Sequence, residues 1–483
     1  MTVPALLRSR WAALGVLSST MLMAILDGSI VTVAMPAIQD DLGFTPAGLS
    51  WTMNAYLIPL GGLLLLAGRL GDLIGRRTLF LTGNAVFTAA SVLAGAATTP
   101  GLLIAARFLQ GIGGALATAV VLGIMVTTFT DARERTKAIG IFSFTGAAGA
   151  SVGSVLGGVL TDALSWHWIF LINLPIGLAT ILLALPALPR DRGLGLSAGA
   201  DLAGALLVTS GLMLGIYTIV KVESHGWIST HTLGLGAASL GLLAAFVIRQ
   251  ARAATPLMPL RILRSRNVSG AYVVQLLSLS AMFAFQVVVA LYMQQILGYT
   301  ALATGLAMLP AAVLIGAVSL LASARLSNRF GERTVLMAGL ALLIAAMTWL
   351  TTIPVHAGYV THLLPAFVLI AGAGLVLPSL TGLGMSSARP DDAGVASGLF
   401  NTVQQVGMAL GVAVLTTLAA SRTEILQSQG RDAASALAGG YHLAFGVSAG
   451  LLTAALAVSA LILRRPPQAP ATPAEAPAAT VKA

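Results

Sequence analysis

Cysteine is absent from the 483 residues, and charge is scarce, with 9% Asp, Glu, Lys and Arg against 57% hydrophobic residues. The first absence excludes disulfides and thiolate metal sites and says nothing of compartment. The second excludes a soluble globular chain, which carries about 25% charged residues. A mean hydropathy of +0.92 points the same way. Lysine is nearly missing, with only Lys137, Lys221 and Lys482 among 26 basic residues. A net charge of +10 would suggest nucleic acid in a soluble protein, but here the basic residues fall in short segments between apolar runs. Nucleic acid is therefore not an expected partner. His167, His225, His231, His356, His362 and His442 all fall at loops or helix ends, so no metal site is assigned. With no catalytic acid pair, Cys or buried His, no catalytic residue is assigned either. What remains is an all-α polytopic membrane protein.

A bilayer core about 30 Å thick needs about 20 apolar residues per helix. The chain offers fourteen such runs, at 12–36, 48–68, 78–97, 101–128, 138–160, 167–187, 201–220, 231–249, 268–297, 302–324, 334–353, 361–386, 394–420 and 441–463. Turn and charge clusters such as TTPG, TDARERTK and LPRDRG separate them. The stretch RSRWAALGVLSSTMLMAIL imitates a signal peptide but lacks a small-residue cleavage site, and reads as a retained first helix. Of the 26 basic residues, 22 fall in the tails and even-numbered loops, counting Arg249 at the inner end of the eighth run. Lys221, Arg422 and Arg431 fall on the opposite side, and Arg107 lies inside a span. By the positive-inside rule both termini are expected in the cytoplasm, with the chain in the cytoplasmic (inner) membrane.

RLGDLIGRR (69–77) follows the second run and RLSNRFGER (325–333) the tenth; Arg69/Arg325, Leu70/Leu326, Gly75/Gly331 and Arg77/Arg333 coincide. If this is an internal repeat, residues 1–187 form one six-helix bundle and 267–463 another. Residues 188–249 are then an inserted two-helix hairpin and 250–266 a basic cytoplasmic loop. The Pro/Ala-rich 464–483 is expected to be a disordered cytoplasmic tail. The basic loop reads as topogenic, or as an amphipathic segment lying along the anionic inner leaflet. Shared topogenic chemistry is the other explanation of the repeat. Paired bundles of this kind build transporters with a site at the bilayer midplane.

Inside the spans charge almost vanishes. Of 16 acids, only Asp27 falls inside one away from its ends, Asp201 standing at the inner end of the seventh. A central Asp costs about 2.5–3.5 kcal/mol on insertion scales, so its presence suggests use. That use is proton coupling or, alternatively, a structural hydrogen bond between helices. Arg107, Gln110, Gly114 and Thr118 follow helical spacing as one polar stripe. Arg107 faces a cavity, or snorkels to the outer interface. Candidate substrate-cavity residues are Met23, Asn54, Tyr56, Gln110, Gln275, Met282, Gln286, Tyr292, Gln294, Asn401, Gln404 and Gln405. Thioethers and amides suit a permissive site, although any one of these side chains could serve helix packing instead. In the fifth run Gly149, Gly153 and Gly157 recur every four residues, as do Gly146, Ala150, Ser154 and Gly158. These rows make smooth ridges that let helices approach closely.

Taken together, these stretches resemble the fourteen-helix drug/proton antiporters of the major facilitator superfamily, over roughly residues 15–463. The motifs are LDGSIVTVAMPAI in the first run, GRLGDLIGRR after the second, RFLQGIGGA (107–115) and GAAGASVGSVLGG (146–158). WHWIFLINLPIG (166–177) and ASGLFNTVQQVGMALGVAV (396–414) are further family-like stretches. Ser154 stands where the family often has Pro, His167 where Arg is usual, and Gln404 where Arg is common.

The resemblance implies proton-coupled efflux of amphipathic molecules by alternating access, with Asp27 and Arg107 as the coupling pair. It makes Gly68, Asp72, Gly75, Arg76 and Arg77 a cytoplasmic latch. It makes Gly149, Gly153, Ser154, Gly157 and Gly158 a sliding contact between the two halves. No cofactor beyond the proton gradient is expected. Partners are a small-molecule substrate, protons and the lipid bilayer, with a monomer as the default. A proton-coupled importer and a non-transporting membrane sensor are the alternatives.

Overall fold

The computed structural model describes residues 9–44, 51–191, 193–195, 201–253, 256–386 and 393–463, and among these every regular element is helical. The expected tail at 464–483 lies outside the described residues. In chain order the helices are α1 (Arg10–Leu42), α2 (Trp51–Ile74), α3 (Arg76–Gly95), α4 (Pro100–Ala119), α5 (Val121–Thr128), α6 (Ala132–Ala163), α7 (Trp168–Leu171) and α8 (Asn173–Ala187). Next come α9 (Leu202–His225), α10 (Thr230–Arg252) and the single turn α11 (Arg261–Arg264). The chain continues through α12 (Arg266–Gln295), α13 (Ala301–Ala317), α14 (Ala324–Phe330), α15 (Glu332–Leu350), α16 (Leu364–Ile370), α17 (Ala373–Gly384), α18 (Ala393–Ser428) and α19 (Ala433–Leu461).

Short polar side chains start these helices. Ser9, Thr99, Asp131, Asp201, Ser229, Thr300 and Asp432 each accept an N–H from the first turn. That satisfies donors the helix itself leaves open. Twelve helical stretches among the described residues are long and apolar enough to cross a membrane. The helix α9 adds a shorter apolar stretch, Ala203–Ile219, and α6 stands outside the twelve. Among the described residues, length and apolarity therefore account for twelve of the fourteen spans read from the sequence.

One core joins α1 to α5 with parts of α6, α8, α9, α10, α12 and α18; a second joins α12, α13 and α15 to α19. Between them α2 lies against α18, and α6 against α13 and α17. The α2–α18 crossing is backbone on backbone. A Cβ on Gly68 would collide with the Gly394 carbonyl, and one on Gly398 would lie 2.5 Å from the Leu64 carbonyl oxygen. The helix α9 pairs with α10 and rests on α2 and α18.

In the basic loop Leu257, Met258 and Ile262 are buried in the first core. The structure corrects one expectation here. The glycine row of α6 does not bridge the halves. Gly146, Gly149 and Gly153 face Met21, Leu22, Ile25, Leu26 and Ser29 of α1, within the same half. Gly158 meets nothing, and the Ser154 side chain lies outside the described set. The contact between halves runs one turn and more towards the N-terminus of α6. There Ser319 Oγ donates to the Gly140 carbonyl at 3.2 Å, and Phe144 fills the space over Gly316. Ser319 sits in a π-helical turn, Val318–Ser323, that continues α13.

Candidate functional site

Asp27 lies midway along α1 and is fully buried, as is Arg107 on α4. Arg107 Nη1 donates to Asp27 Oδ2 at 2.5 Å. Gln110, one helical turn on, donates from Nε2 to Asp27 Oδ1 at 3.0 Å and accepts from Arg107 Nη1 at 2.8 Å. Asn173, the first residue of α8, donates to Asp27 Oδ1 at 3.1 Å. The carboxylate thus accepts from three side chains on two helices.

Arg107 is held from other directions too. Its Nε donates to the Thr52 carbonyl at 2.8 Å, and the Tyr56 ring centroid lies 4.4 Å from the guanidinium carbon. Phe170 stands at 5.7 Å on the same group. Aromatic faces attract a desolvated cation, so the charge is compensated by a carboxylate and two rings. A buried ion pair offsets its desolvation only with good geometry and further hydrogen bonds; Nε and Nη1 of Arg107 are bonded, while Nη2 has no hydrogen-bond partner among the described residues. Arg107 faces this cluster rather than snorkelling.

The second site is the latch region. Asp72, on the last turn of α2, accepts from Arg76 Nε at 3.0 Å and Nη2 at 2.8 Å. It also accepts from the backbone N–H groups of Gly394 at 2.9 Å and Val395 at 3.0 Å. Those are first-turn donors of α18, in the other half, where a helix leaves N–H groups open and favours negative charge. Gly75 has φ 99°, so only glycine turns the chain there without strain. Gly75 caps α3 without a side chain. The missing cap comes from a distance: Asp191 accepts from Arg76 N at 2.6 Å and Arg77 N at 3.1 Å.

The proposed cavity residues separate. Met23, Tyr56 and Gln110 gather near Asp27 or in the core beside it. Asn54 is half-buried on the same helix as Tyr56. Asn401 on α18 donates to the Thr118 carbonyl of α4 at 3.3 Å, and Gln405 neighbours Gly61 of α2. Gln404 is half-buried. The α12 group does not converge. Gln275 donates to the Phe400 carbonyl at 3.3 Å, which makes it a helix-packing residue. Tyr292 is buried and its hydroxyl donates to the Pro354 carbonyl at 2.6 Å, fastening a loop. Gln286 and Gln294 are exposed, and Met282 is half-buried at the edge of the second core. A span of 30 residues presents all its faces, and spacing alone cannot say which one turns inward.

Among the side chains that sequence reasoning missed are Asn173, Phe170 and Asp191. Asn173 stands inside a motif quoted above, and its signal was a lone amide near the start of an apolar span. Asp191 is the single acid of the loop LPRDRG, and nothing local indicates that it caps α3.

Residues 17–412 match the family model described as the Major Facilitator Superfamily. The chain is 38% identical over 458 residues to the puromycin resistance protein pur8 of Streptomyces alboniger, covering 93% of this chain and 90% of that one. It is 38% identical over 405 residues to the cephamycin export protein CmcT of Amycolatopsis lactamdurans, covering 83% of each. The tetracenomycin C resistance and export protein of Streptomyces glaucescens is 33% identical over 419 residues, 86% of this chain and 77% of that one. The crystal structure of the human organic anion transporter MFSD10 (TETRAN) superposes with a TM-score of 0.67 at 14% identity, over 95% of this chain and all of that one, and shows the fold alone. A match over most of the chain, with a helical fold to suit, leaves one assignment: the chain belongs to the Major Facilitator Superfamily, a multi-pass membrane transporter and not an enzyme.

Proposed function

We propose that the protein exports amphipathic small molecules across the cytoplasmic membrane in exchange for protons, by alternating access. Asp27 is the proton-carrying carboxylate and Arg107 its counter-charge. The observation that carries this reading is the full burial of Asp27, midway along α1, against Arg107, Gln110 and Asn173. The relatives' names, which speak of resistance and export, favour the outward direction. In this reading α6 and α9 complete fourteen spans, and both termini are cytoplasmic.

Coupling follows from the ion pair. Removing one partner of a buried pair costs about 3–5 kcal/mol, because the other charge is left uncompensated. A proton on Asp27 removes that partner without any mutation. It therefore favours a state in which Arg107 reaches water or a substrate. Asp72, bound to the α18 N-terminus, holds the halves together at the cytoplasmic end in the opposite state. One proton per turnover with a neutral substrate moves one net charge, about 2.3 kcal/mol per 100 mV. The test is reconstituted transport under an imposed pH gradient. Asp27→Asn should abolish uphill transport while leaving substrate exchange at equal pH; gradient-driven accumulation by that variant would refute the reading.

A further inference from the structure

We infer that Asn173 senses the protonation state of Asp27 by turning its side-chain amide over. The inference rests on the reading of Asp27 as the proton site. All three groups that now meet the Asp27 carboxylate do so as donors: Arg107 Nη1, Gln110 Nε2 and Asn173 Nδ2. That set suits an ionised carboxylate. A protonated one carries an O–H that needs an acceptor, and a buried donor left without one is costly.

Of the three partners only one has an acceptor to offer. A guanidinium has none. The Gln110 amide is committed at both ends: Oε1 accepts from Arg107, and Nε2 also donates to Ser91 Oγ at 2.7 Å. Turning it over would break both bonds. Asn173 is different. Its Oδ1 is buried and has no hydrogen-bond partner among the described residues. The terminal torsion of an asparagine is broad and roughly two-fold, so a half-turn costs little. That half-turn exchanges one amide end for the other and brings Oδ1 to the Asp27 O–H. The ionised acid is met by the N–H of Asn173, and the neutral acid by its carbonyl.

The position suits a sensor. Asn173 opens α8, just after the short α7, and α8 packs against both α1 and α3. Among the described residues, the other charged or titratable groups facing Asp27 are Arg107 of α4 and Tyr56 of α2. None lies on α5, α7 or α8. On α6 they stand towards its two ends, at Arg133, Glu134, Arg135, Lys137 and Asp162.

The experiment needs no substrate. Infrared difference spectra between high and low pH are recorded on the full-length protein in liposomes, for wild type, Asp27→Asn, Asn173→Leu and Asn173→Ser. Wild type should show a carboxylic-acid band that Asp27→Asn lacks. It should also show an amide carbonyl band moving to lower frequency as that carbonyl gains a donor. Both Asn173 variants should keep the carboxylic-acid band and lose the amide feature; the smaller Asn173→Ser serves if Asn173→Leu does not fold. An amide feature that persists in either variant, or is missing in wild type while the Asp27 band is present, overturns the inference. Absence of any Asp27-dependent band overturns the reading of Asp27 itself.

Discussion

Arg77 and Arg333 close the ends of two different helices in the same way. Arg77 Nη2 donates to the Leu185 carbonyl at 2.5 Å, in the last turn of α8. Arg333 donates to the Ser459 carbonyl at 3.3 Å and the Ala460 carbonyl at 2.6 Å, in the last turn of α19. A cation at a helix C-terminus meets open carbonyls and the negative end of the dipole. Both arginines follow a glycine turn with positive φ, 99° at Gly75 and 84° at Gly331. The aligned motifs therefore share a structural job and not only a charge. They differ at the latch: Asn328 and Glu332 stand where Asp72 and Arg76 stand in the first copy.

From this relationship we expect Arg77→Ala and Arg333→Ala each to destabilise the protein by about 1.5–3 kcal/mol, the range for hydrogen bonds to charged groups. The two effects should add, since the sites share no partner. Thermal unfolding in detergent measures both. A double variant no less stable than either single one would contradict the parallel.

How much of this was readable beforehand follows from which forces are local. Helix positions were legible because a membrane span is declared by its own apolar run. Asp27 and Arg107 were legible because charge is rare there, and a carboxylate in the middle of an apolar run identifies itself. Asp191 was not, because it acts on Arg76 N and Arg77 N far along the chain. The α6 glycines were legible as a smooth ridge, but not the helix they meet. Four-residue spacing describes one surface and is silent about its partner, which is α1.

The latch yields a second expectation. Asp72→Asn keeps the size and an acceptor but removes the charge that faces Arg76 and the α18 N-terminus. Transport should fall at least tenfold with membrane expression unchanged. Gly68→Val should do the same by another route, since its Cβ would strike the Gly394 carbonyl and hold α2 off α18. Transport at the wild-type rate by either variant would remove the latch from the mechanism.

A third expectation separates two glycines of one helix. A Cβ at Gly153 would strike Ser29 Oγ and lie 3.1 Å from the Leu26 carbonyl oxygen, so Gly153→Ala must push α6 from α1. Overpacking of this sort costs about 1–3 kcal/mol. Gly158 has nothing within 4 Å, so Gly158→Ala should be neutral or slightly stabilising, because alanine is the better helix former. Equal melting temperatures for the two variants would show that the α1–α6 contact is not tight.

The last expectation concerns pH and the α9–α10 hairpin. Asp201 caps α9 through the Gly204 N–H at 2.9 Å. It also accepts from Arg249 Nε at 2.6 Å and Gln250 Nε2 at 2.8 Å, tying the ends of the two helices together. Burial pushes its pKa up, but the Gly204 N–H, Arg249 and Gln250 outweigh burial and hold the carboxyl below the usual range. A depressed folded value means the stabilisation is complete above the unfolded value of about 3.9 and disappears as pH falls through the folded one. The difference in melting temperature between wild type and Asp201→Asn should therefore be flat from about pH 5 to 8 and shrink below about pH 4. Because the Arg249 side chain is 45% exposed, added salt should reduce its share of that difference. A difference that widens towards acid pH would mean that Asp201 is held neutral, and that the three donors do not bind it as an anion.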